Sequence, residues 1–574
     1  MRSRLTTHTE KWILLFVTVT VAVSFGLAYG NNNQNTYLID GMTKIFPDFL
    51  INDWFARQTS HYHSKFSLLL QLIHFTGLPL AHTLVAIELL LRIAGLAAIY
   101  NIVRLIAAKE ASLCYLMVLF LVVTEQTASV GESYIFAATL QPSSLGGVCT
   151  LVALYWFLKE RYYLSGLFHA LAGWMHTNFL LLGIVFFGLA HLFSGRTALI
   201  KRLFQQFISV VPVFLLVLPF LLGMAASQGG EESSRIFFQI RAPHHYMPMS
   251  YLKDFILFGG WSLMGLACLG LPGENLEIRR RAYILFGVLF SLVVIATFLT
   301  TVIFIPIVAK LYFWRLAPFS VLLSQIILIT TVVTFGPANF TATPTEQPKI
   351  RFTGFRFVLM VCGAILLLYG HLAHHRFFSS FFLLLLAFFA LLAIILVFQK
   401  KGPTSLPLPF TKKNGVVGGA LLLLLSSLAF NVDSFYRKST LINGFPGQDE
   451  QELYSWCKQT PVTSTFLIPP DLLNFRLHGE RAVVVDWKST PIDPDGILNW
   501  YKRIEDISGI SSPNTETEAV RGYLAMDYDR LLRLKQKYAV THMVQYRTKN
   551  QAKWNFPVVF ENTRFSVVAV EQHK

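Results

Sequence analysis

The sequence predicts a polytopic α-helical membrane protein of about thirteen transmembrane helices, followed by a soluble α/β domain at its C-terminal end. Two observations carry this prediction. Of the 574 residues, 54% are hydrophobic and 14% are charged, which is more apolar surface than one soluble core can bury. The apolar residues also form runs of roughly 17 to 25, the length at which a helix crosses the hydrocarbon layer with its backbone groups bonded internally.

The predicted spans alternate with short polar connections. They lie near residues 12–30, 84–103, 111–126, 142–158, 163–175, 178–193, 204–225, 254–271, 283–307, 317–334, 355–371, 377–398 and 415–430. Every second connection is rich in Lys and Arg and lies on the same side as the N-terminus, which the positive-inside rule assigns to the cytoplasm. The other connections, and the residues after the last span, are therefore expected outside.

Two segments of this topology need justification. Residues 12–29 are too long an apolar run for the core of a typical signal peptide, and no cleavage pattern follows, so they are predicted to stay as the first helix. Residues 163–193 contain His176 and Asn178 near their middle, which favours two short helices meeting outside over one tilted span.

From residue 431 onward the sequence becomes charged, with the short alternating blocks of a water-soluble α/β fold. The prediction is a transmembrane domain over 1–430 and an extracytoplasmic α/β domain over 431–574. Helices are predicted at 449–458, 496–507 and 525–538, and strands at 465–468, 482–486, 541–545, 557–560 and 566–570. Arg476, Arg481, Asp486 and Lys488 are expected on the domain surface.

The net charge of +16 does not indicate a nucleic-acid partner, because the Lys and Arg residues are scattered through short loops and form no basic stripe. The five cysteines are widely separated and lack any metal-ligand spacing. A disulfide framework and a structural zinc site are therefore both excluded from the prediction.

The outer loop 31–83 carries the first candidate for chemistry. Asp53 follows an apolar stretch, and a carboxylate held near a bilayer can accept a proton from a hydroxyl nucleophile. Asp40 in the same loop is the alternative, and either acid could simply be solvated. Glu125 and Glu132, at and beyond the end of the third predicted span, could hold a metal or a nucleophile or be solvated at a helix end.

The densest polar motif is Arg241-Ala242-Pro243-His244-His245-Tyr246-Met247-Pro248 in one outer connection. Arginine offers a planar fork of donors for phosphate oxygens, and histidine can donate a hydrogen bond or a proton to a leaving phosphate. Arg315 and Lys310 are among the few cations expected on the same side, and Arg315 lies in an aromatic stretch where it could bind a lipid phosphate or snorkel.

Histidines are concentrated on the predicted outer side, which also permits a transition-metal site, although no spacing on one element specifies it. They are His61, His63, His176, His244, His245, His371, His374 and His375. A divalent metal is thus possible, and no cofactor is specified. His176, Asn178 and Glu125 are predicted to line the same outer cavity.

With its acidic first outer loop, many spans, paired short helices and C-terminal outer domain, the chain resembles the GT-C superfamily of polyprenyl-phosphate-sugar-dependent glycosyltransferases. Three segments also resemble an uncharacterised group of bacterial membrane proteins. These are Asn52-Asp53-Trp54, Arg241 to Pro248, and Phe466 to Lys488. The first-loop acids of GT-C enzymes are often paired, whereas Asp53 is followed by Trp54.

The resemblance implies an enzyme of the bacterial inner membrane that transfers a sugar from a polyprenyl phosphate to a lipid, glycan or protein acceptor. Asp53 would deprotonate the acceptor, or bind a metal as in some members, while Arg241, His244 and Arg315 would hold the departing phosphate. His245, Tyr246 and Lys310 are grouped with those phosphate ligands, and membrane lipids are the remaining expected partners.

Three other functions stay open from the sequence. A transporter or flippase of lipid-linked sugars should show two related halves with broken helices, and no such halves are evident. A glycan polymerase or ligase usually carries its large outer loop late among the spans, whereas the soluble mass here is terminal. A non-catalytic scaffold with a binding domain is not excluded by any sequence feature.

Overall fold

The structure is a computed structural model, and the residues that it describes fall into twelve ranges. These are 2–31, 33–59, 63–124, 130–195, 198–226, 230–247, 252–271, 274–341, 354–373, 413–443, 447–547 and 556–570. Four predictions lie outside them: the span at 377–398, the acid Glu125, Pro248 at the end of the polar motif, and the outer histidines His61, His374 and His375.

Helices make up most of the described residues before residue 440. The α-helices are Arg2–Ser24, Gln34–Ile45, Trp54–Gln58, Ser64–Phe75, Leu80–Ile106, Ala111–Thr124, Pro142–Leu158, Tyr162–Met175, Thr177–Phe193, Leu199–Phe207, Val210–Ala226, Gly230–Arg235, Pro243–Tyr246, Leu252–Ala267, Leu276–Thr301, Pro306–Leu311, Ala317–Thr341, Gly354–Ala373, Lys413–Phe430 and Val432–Lys438. Shorter turns of other helix types are Val130–Glu132, Ile236–Arg241 and Phe313–Leu316.

Among the described residues, four helices are long and apolar enough to cross a membrane by length and composition. They are Leu80–Ile106, Leu276–Thr301, Pro306–Thr334 and Phe355–Ala373. The number rises to six if each of two bent pairs forms one span, and three further apolar helices have 10–17 residues. A membrane protein is therefore confirmed, whereas the predicted number of about thirteen spans is not.

Residues 162–193 form two helices, as predicted. Tyr162–Met175 ends at His176, whose backbone is extended, and Thr177–Phe193 begins directly after it. The His176 ring nitrogen accepts a hydrogen bond from the Asn178 amide at 3.3 Å and so caps the second helix. The break thus places the His176 side chain at a helix junction.

The C-terminal part contains a five-stranded mixed sheet. Its strands are β1 (Thr465–Leu467), β2 (Ala482–Val483), β3 (His542–Tyr546), β4 (Val558–Glu561) and β5 (Phe565–Ala569), in the order β2-β1-β3-β5-β4. β1 pairs in parallel with β2 and β3, and β5 pairs antiparallel with β3 and β4. The described helices around the sheet are Thr440–Asn443, Gln448–Cys457, Phe475–Gly479, Pro494–Ser508, Glu516–Leu524 and Tyr528–Tyr538.

The segment 31–83, which was predicted as the first outer loop, shares one hydrophobic core with the C-terminal domain. Phe55 and Leu70 of the loop belong to the same buried cluster as Trp487 and Trp500 of the domain. Gly30 illustrates how tightly the two parts approach: its φ is +69°, and a Cβ there would lie 2.9 Å from the His478 ring. The sheet domain is thus packed on the membrane part and not suspended from it.

Candidate functional site

Asp53 lies at the joint between the first outer loop and the C-terminal domain. Its side chain is 0% exposed and caps the short helix Trp54–Gln58, because Oδ1 accepts a hydrogen bond from the Ala56 amide at 2.9 Å. Oδ2 accepts from Arg476 Nε at 2.8 Å and from the Val483 amide at 2.9 Å. Both carboxylate oxygens are therefore engaged inside the protein.

The same guanidinium holds a second buried acid. Arg476 Nη1 donates to Asp486 Oδ2, and Asp486 also accepts hydrogen bonds from the Lys488 and Ser489 amides at 2.7 and 2.6 Å. Arg476, Asp486 and Arg481 are all buried. The prediction that they are surface groups is therefore wrong. Ion pairing of Arg476 with Asp486, and hydrogen bonds from Arg481 to backbone carbonyls, offset part of the cost of burying these charges.

Asp40, the other acid predicted for catalysis, lies on the helix Gln34–Ile45. Its Oδ2 accepts a hydrogen bond from Lys44 Nζ at 2.7 Å, one helical turn away, and another from the hydroxyl of Ser67. These contacts join two helices of the first loop. These contacts do not test catalysis, so catalysis by Asp53 or Asp40 stays a prediction.

Arg241 connects the polar motif to the C-terminal domain. Its Nε donates to Thr490 Oγ1 at 3.0 Å and its Nη2 donates to the Lys488 carbonyl at 2.9 Å. Arg241 acts electrostatically on the Lys488 ammonium, and both cations act on His244. The loop Lys488 to Thr490 therefore supplies a cation to the predicted phosphate ligands.

Arg315 lies inside a cluster of aromatic and histidine side chains. Its guanidinium carbon lies 5.0 Å from the Tyr312 ring centre and 5.7 Å from that of Phe179, as in cation–π pairs. The positive charge also acts on several surrounding rings from other elements. These are Tyr37, His63, Tyr134, His176, His245 and Tyr246.

The backbone that presents Arg315 is strained. Tyr312 has φ +52° and ψ +57°, a left-handed conformation that costs a non-glycine residue roughly 1–3 kcal/mol, and it separates Pro306–Leu311 from the turn Phe313–Leu316. The Tyr312 hydroxyl donates to the Gly131 carbonyl, which holds the strained residue against the turn Val130–Glu132. Strain of this kind is concentrated at functional sites.

Glu132, His244 and His245 meet at the edge of this cluster. One potential ligand atom from each of these residues lies within 4.8 Å of the others. The rings of His244 and His245 are 4.2 Å apart between centres, and His245 Nδ1 lies 3.0 Å from the Gly131 carbonyl oxygen. Two connections that are separate in sequence thus converge on one small group of acid and imidazole side chains.

The pKa values of the site residues reflect burial beside positive charge. Burial, then Arg241 and Lys488, lowers the pKa of His244 to about 4, and burial followed by the charge of Arg315 lowers the pKa of His63 to about 3. Burial, followed by the charge of Arg241, lowers the pKa of Lys488 to about 8. At neutral pH both imidazoles are neutral and Lys488 is mostly charged.

The structure thus brings together most of the predicted phosphate ligands. Arg241, His244, His245, Tyr246 and Arg315 belong to one neighbourhood through the electrostatic contacts already described. Asp53 is linked to it indirectly, through Arg476, Asp486 and the Lys488 loop.

Three other predicted site residues have different surroundings. Lys310 is exposed on the short helix Pro306–Leu311. Asn178 donates from Nδ2 to the Leu311 carbonyl at 3.4 Å, so it joins two connections. His176 packs on His63 with ring centres 4.6 Å apart and lies within reach of the Arg315 charge.

Sequence reasoning missed several residues of the site. Tyr37 and Tyr134 carry no motif, His63 was named only as one of the outer histidines, and only the fold brings the three beside Arg315. It also missed Glu88 and Arg92, a fully buried ion pair inside the span Leu80–Ile106. Their spacing of four residues within an apolar run was the signal that could have found them.

Arg92 connects the end of the helix Arg2–Ser24 with the segment that precedes the helix Pro142–Leu158. Its Nη1 donates to the carbonyls of Ala22 and Gly26 at 2.9 and 2.8 Å, and its Nη2 donates to the Ala138 carbonyl at 2.9 Å. Helix ends with unpaired carbonyls need such donors, because no water is present in the hydrocarbon layer. The ion pair therefore fixes the segment after the first helix against the segment that precedes the helix Pro142–Leu158.

The fold and site define a helical membrane protein with a sheet domain packed over a cationic, aromatic cluster. A family model described as a domain of unknown function, DUF6798, matches residues 448–507. No curated protein matches the chain. Among solved structures, the chain is similar to the archaeal oligosaccharyltransferase AglB from Archaeoglobus fulgidus, in complex with an inhibitory peptide and a dolichol-phosphate. The identity is 9% and the TM-score 0.43, over 93% of this chain and 69% of that one.

Proposed function

We propose that the protein is a glycosyltransferase of the bacterial inner membrane that takes a sugar from a polyprenyl-phosphate carrier at the outer face. The acceptor is a lipid, a glycan or a protein. The observation that carries the proposal is the convergence of Arg241, Arg315 and Lys488 from three separate parts of the chain on one cluster at a membrane-spanning helix.

Arg315 is the central element of this proposal. It lies near the N-terminal end of the candidate span Pro306–Thr334, at the level where the headgroup of a lipid would lie. Its Nε atom is buried, and no described residue accepts a hydrogen bond from it. A buried guanidinium donor without an acceptor costs about 1–3 kcal/mol, and an anionic ligand would remove that cost.

Arg241 and Lys488 supply the second half of the anion site. Arg241 is held by two hydrogen bonds to the C-terminal domain, so its position depends on the docking of that domain. The loop Lys488 to Thr490 is fixed in turn by Asp486, which accepts from the Lys488 and Ser489 amides. Preorganised cations of this kind stabilise the charge that develops on a departing phosphate.

In the reaction, an acceptor hydroxyl attacks C1 of the sugar and loses its proton to solvent water, the bond from C1 to the phosphate oxygen breaks, and the phosphate leaves with the electron pair. Arg315 and Arg241 would hold the phosphate through this step. Direct attack inverts the configuration at C1. The imidazole of His244, which is neutral at pH 7, would donate a hydrogen bond to the phosphate from one ring nitrogen and would not carry charge.

The contacts of Asp53 favour a positioning task over the predicted role as base. A general base must come within about 2.6–3.2 Å of the proton that it accepts, and both oxygens of Asp53 are already hydrogen-bonded inside the joint. Action as a base would require Arg476 to release it. Asp53 would otherwise act through Arg476 and Asp486 on the loop that carries Lys488.

The proposal is tested by sugar transfer from radiolabelled polyprenyl-phosphate sugars in membranes that contain the full chain. Arg315→Met should lower kcat/KM by about 100-fold or more, which is the usual effect of removing one hydrogen-bond donor that stabilises charge in the transition state. Lys502→Met is the matched control, since Lys502 is a cation of the C-terminal domain whose side chain is 63% exposed, and it should change the rate less than threefold. Equal rates for wild type and Arg315→Met would contradict the proposal.

The same assay separates an enzyme from a flippase. A flippase would bind the lipid-linked sugar and move it across vesicles without forming a product, and Arg315→Met would then reduce translocation only. Product formation that depends on Arg315 supports the transferase. Translocation without any product would overturn it.

A further inference from the structure

We propose that Glu132, His244 and His245 bind a divalent transition-metal cation, of which Zn²⁺ is the best probe. The inference deepens the proposed function and rests on it in one respect: the metal would lie beside the anion site and share the donor phosphate. The ligands come from the turn Val130–Glu132 and from Pro243–Tyr246, and none comes from the acids of the first outer loop.

The geometry gives the first support. One potential ligand atom from each residue lies within 4.8 Å of the others. Zinc ligands sit about 2.0–2.2 Å from the metal, so small rotations of the side chains are enough to bring all three to one ion. Glu132 is exposed and His244 and His245 are half-buried, which leaves the position accessible from outside.

The orientation of His245 gives the second support. His245 Nδ1 lies 3.0 Å from the Gly131 carbonyl and 3.2 Å from the Tyr312 hydroxyl, whose own proton goes to the same carbonyl, so both oxygens favour the tautomer with the proton on Nδ1. The lone pair of the neutral ring is therefore on Nε2. Metal-binding histidines almost always donate from the other nitrogen to a carbonyl or a carboxylate, which fixes the ring and its tautomer.

The backbone around Glu132 is preset for this contact. Gly131 has φ +69° and Glu132 has φ +55°, two successive left-handed residues that turn the carboxylate toward the histidines. A Cβ on Gly131 would lie 2.9 Å from the Tyr312 hydroxyl. Glycine is thus required at the residue that both orients His245 and precedes the acid.

The charges nearby explain why a cation would be coupled to an anion. The carboxylate of Asp254 acts on Glu132, and a divalent cation would relieve that repulsion. The positive charges of Lys488 and Arg241 act on His244 and would repel a cation bound there. A metal among these cations is most stable when an anionic phosphate bridges them, so metal and donor should each raise the affinity of the other.

The ligand set selects the class of metal. Two imidazoles and one carboxylate suit Zn²⁺ and the neighbouring first-row divalent ions, whereas Ca²⁺ and Mg²⁺ prefer oxygen ligands. Three protein ligands leave a fourth position open, as in catalytic zinc sites. A phosphate oxygen of the donor would fill it.

The test is Zn²⁺ binding by calorimetry to the full chain in detergent after chelation, with Co²⁺ absorption as a second readout. One Zn²⁺ per chain is expected. His244→Ala should weaken binding by more than about 100-fold, because even the loss of a supporting partner of a ligand costs 10–100-fold. Glu132→Gln, which keeps the side-chain shape, is the second variant and should weaken binding at least tenfold.

His82→Ala is the matched control. His82 is an exposed histidine at the start of another helix and should leave Zn²⁺ binding unchanged. Equal affinity in wild type, His244→Ala and Glu132→Gln would overturn the metal site. A loss of binding in His82→Ala as large as in His244→Ala would overturn it as well.

A polyprenyl phosphate added to the detergent distinguishes this inference from the proposed function. It should raise Zn²⁺ affinity by at least fivefold in wild type and not in Arg315→Met. Zn²⁺ binding without that response would keep the metal site and contradict the donor site. Sugar transfer that persists in the absence of any Zn²⁺ binding would keep the function and overturn the metal site.

Discussion

At the scale of single residues, Arg476 is the side chain on which two parts of the chain depend. It pairs with Asp53 of the first loop and Asp486 of the C-terminal domain while being 2% exposed. Its removal would leave two buried carboxylates without the cation that is hydrogen-bonded to both of them. Such a loss costs far more than the pair itself contributes, because the remaining charges are already desolvated.

We therefore expect Arg476→Met to lower the free energy of unfolding by about 3–5 kcal/mol, measured by thermal or denaturant unfolding in detergent. Arg564→Met is the control. Arg564 pairs with Glu450 at 2.9 Å on the surface and is 47% exposed, so its loss should cost less than about 1 kcal/mol. Equal stabilities for the two variants would show that the buried network does not hold the joint.

A second residue-scale prediction concerns pH. Burial, and then the charge of Arg241, lowers the pKa of Lys488 to about 8, so the ammonium is present below that pH and is lost above it. The affinity for the anionic donor should therefore fall as the pH rises from 7 to 9.

Lys488→Arg is the matched variant, because arginine stays charged throughout this range, and the fall should disappear. A fall of the same size in both proteins would exclude Lys488 as its cause. Donor affinity can be measured with a fluorescent polyprenyl phosphate at constant ionic strength, since salt screens the same interaction.

At the scale of elements, the turn Val130–Glu132 supports the site through one glycine. The carbonyl of Gly131 accepts hydrogen bonds from His245 and from Tyr312, so the turn holds both side chains. Neither hydrogen bond involves a side chain of the turn. A change of backbone at this position would move the histidine and the strained tyrosine together.

Gly131→Ala should consequently weaken donor and Zn²⁺ binding at least tenfold. Gly77→Ala is a close control, because Gly77 has φ +73° but a Cβ there would meet nothing within 4 Å. Both changes carry the left-handed backbone cost of about 1–2 kcal/mol, whereas Gly131 alone adds the clash with Tyr312. Equal donor and Zn²⁺ binding in the two variants would contradict the role of the turn in holding His245 and Tyr312.

The elements themselves were largely predictable, and the contacts among them were not. All five strands were predicted within a few residues, because short β-branched blocks between turn residues are a local signal. The helices Phe475–Gly479 and Glu516–Leu524 were missed, since both are short and depend on packing. Arg241 was predicted from its polar motif and Arg315 as one of the few cations on its side. Lys488 was missed as a partner of these residues because only the fold brings it close to Arg241 and His244.

At the scale of the whole molecule, the C-terminal domain is joined to the first outer loop by polar as well as apolar contacts. Asn35 Nδ2 donates to Asn474 Oδ1 at 2.9 Å, and Arg503 stacks over the Trp54 ring at 4.4 Å. Whether this joint opens during turnover decides the task of Asp53. If Asp53 is the base, its hydrogen bonds to Arg476 and Val483 must break during turnover. If Asp53 only positions other residues, it can act while the joint stays closed.

A cysteine pair at Asn35 and Asn474 would lock the joint by oxidation. We expect the locked protein to keep at least half of the transfer rate of its reduced form, because the contacts of Asp53 favour positioning. Complete and reversible loss of transfer on oxidation would instead support Asp53 as the base. The single variants, treated with the same oxidant, control for effects on the native cysteines.

The bond between Asp53 and Arg476 also orders events in time. The two residues are 423 positions apart, and synthesis at about 5–20 residues per second separates their appearance by roughly 20 to 85 seconds. Throughout that interval the first outer loop carries a carboxylate and an apolar surface whose partner has not yet been made. The loop therefore reaches its final structure only after Arg476 has been synthesised, so assembly of the site is a late, post-insertion step.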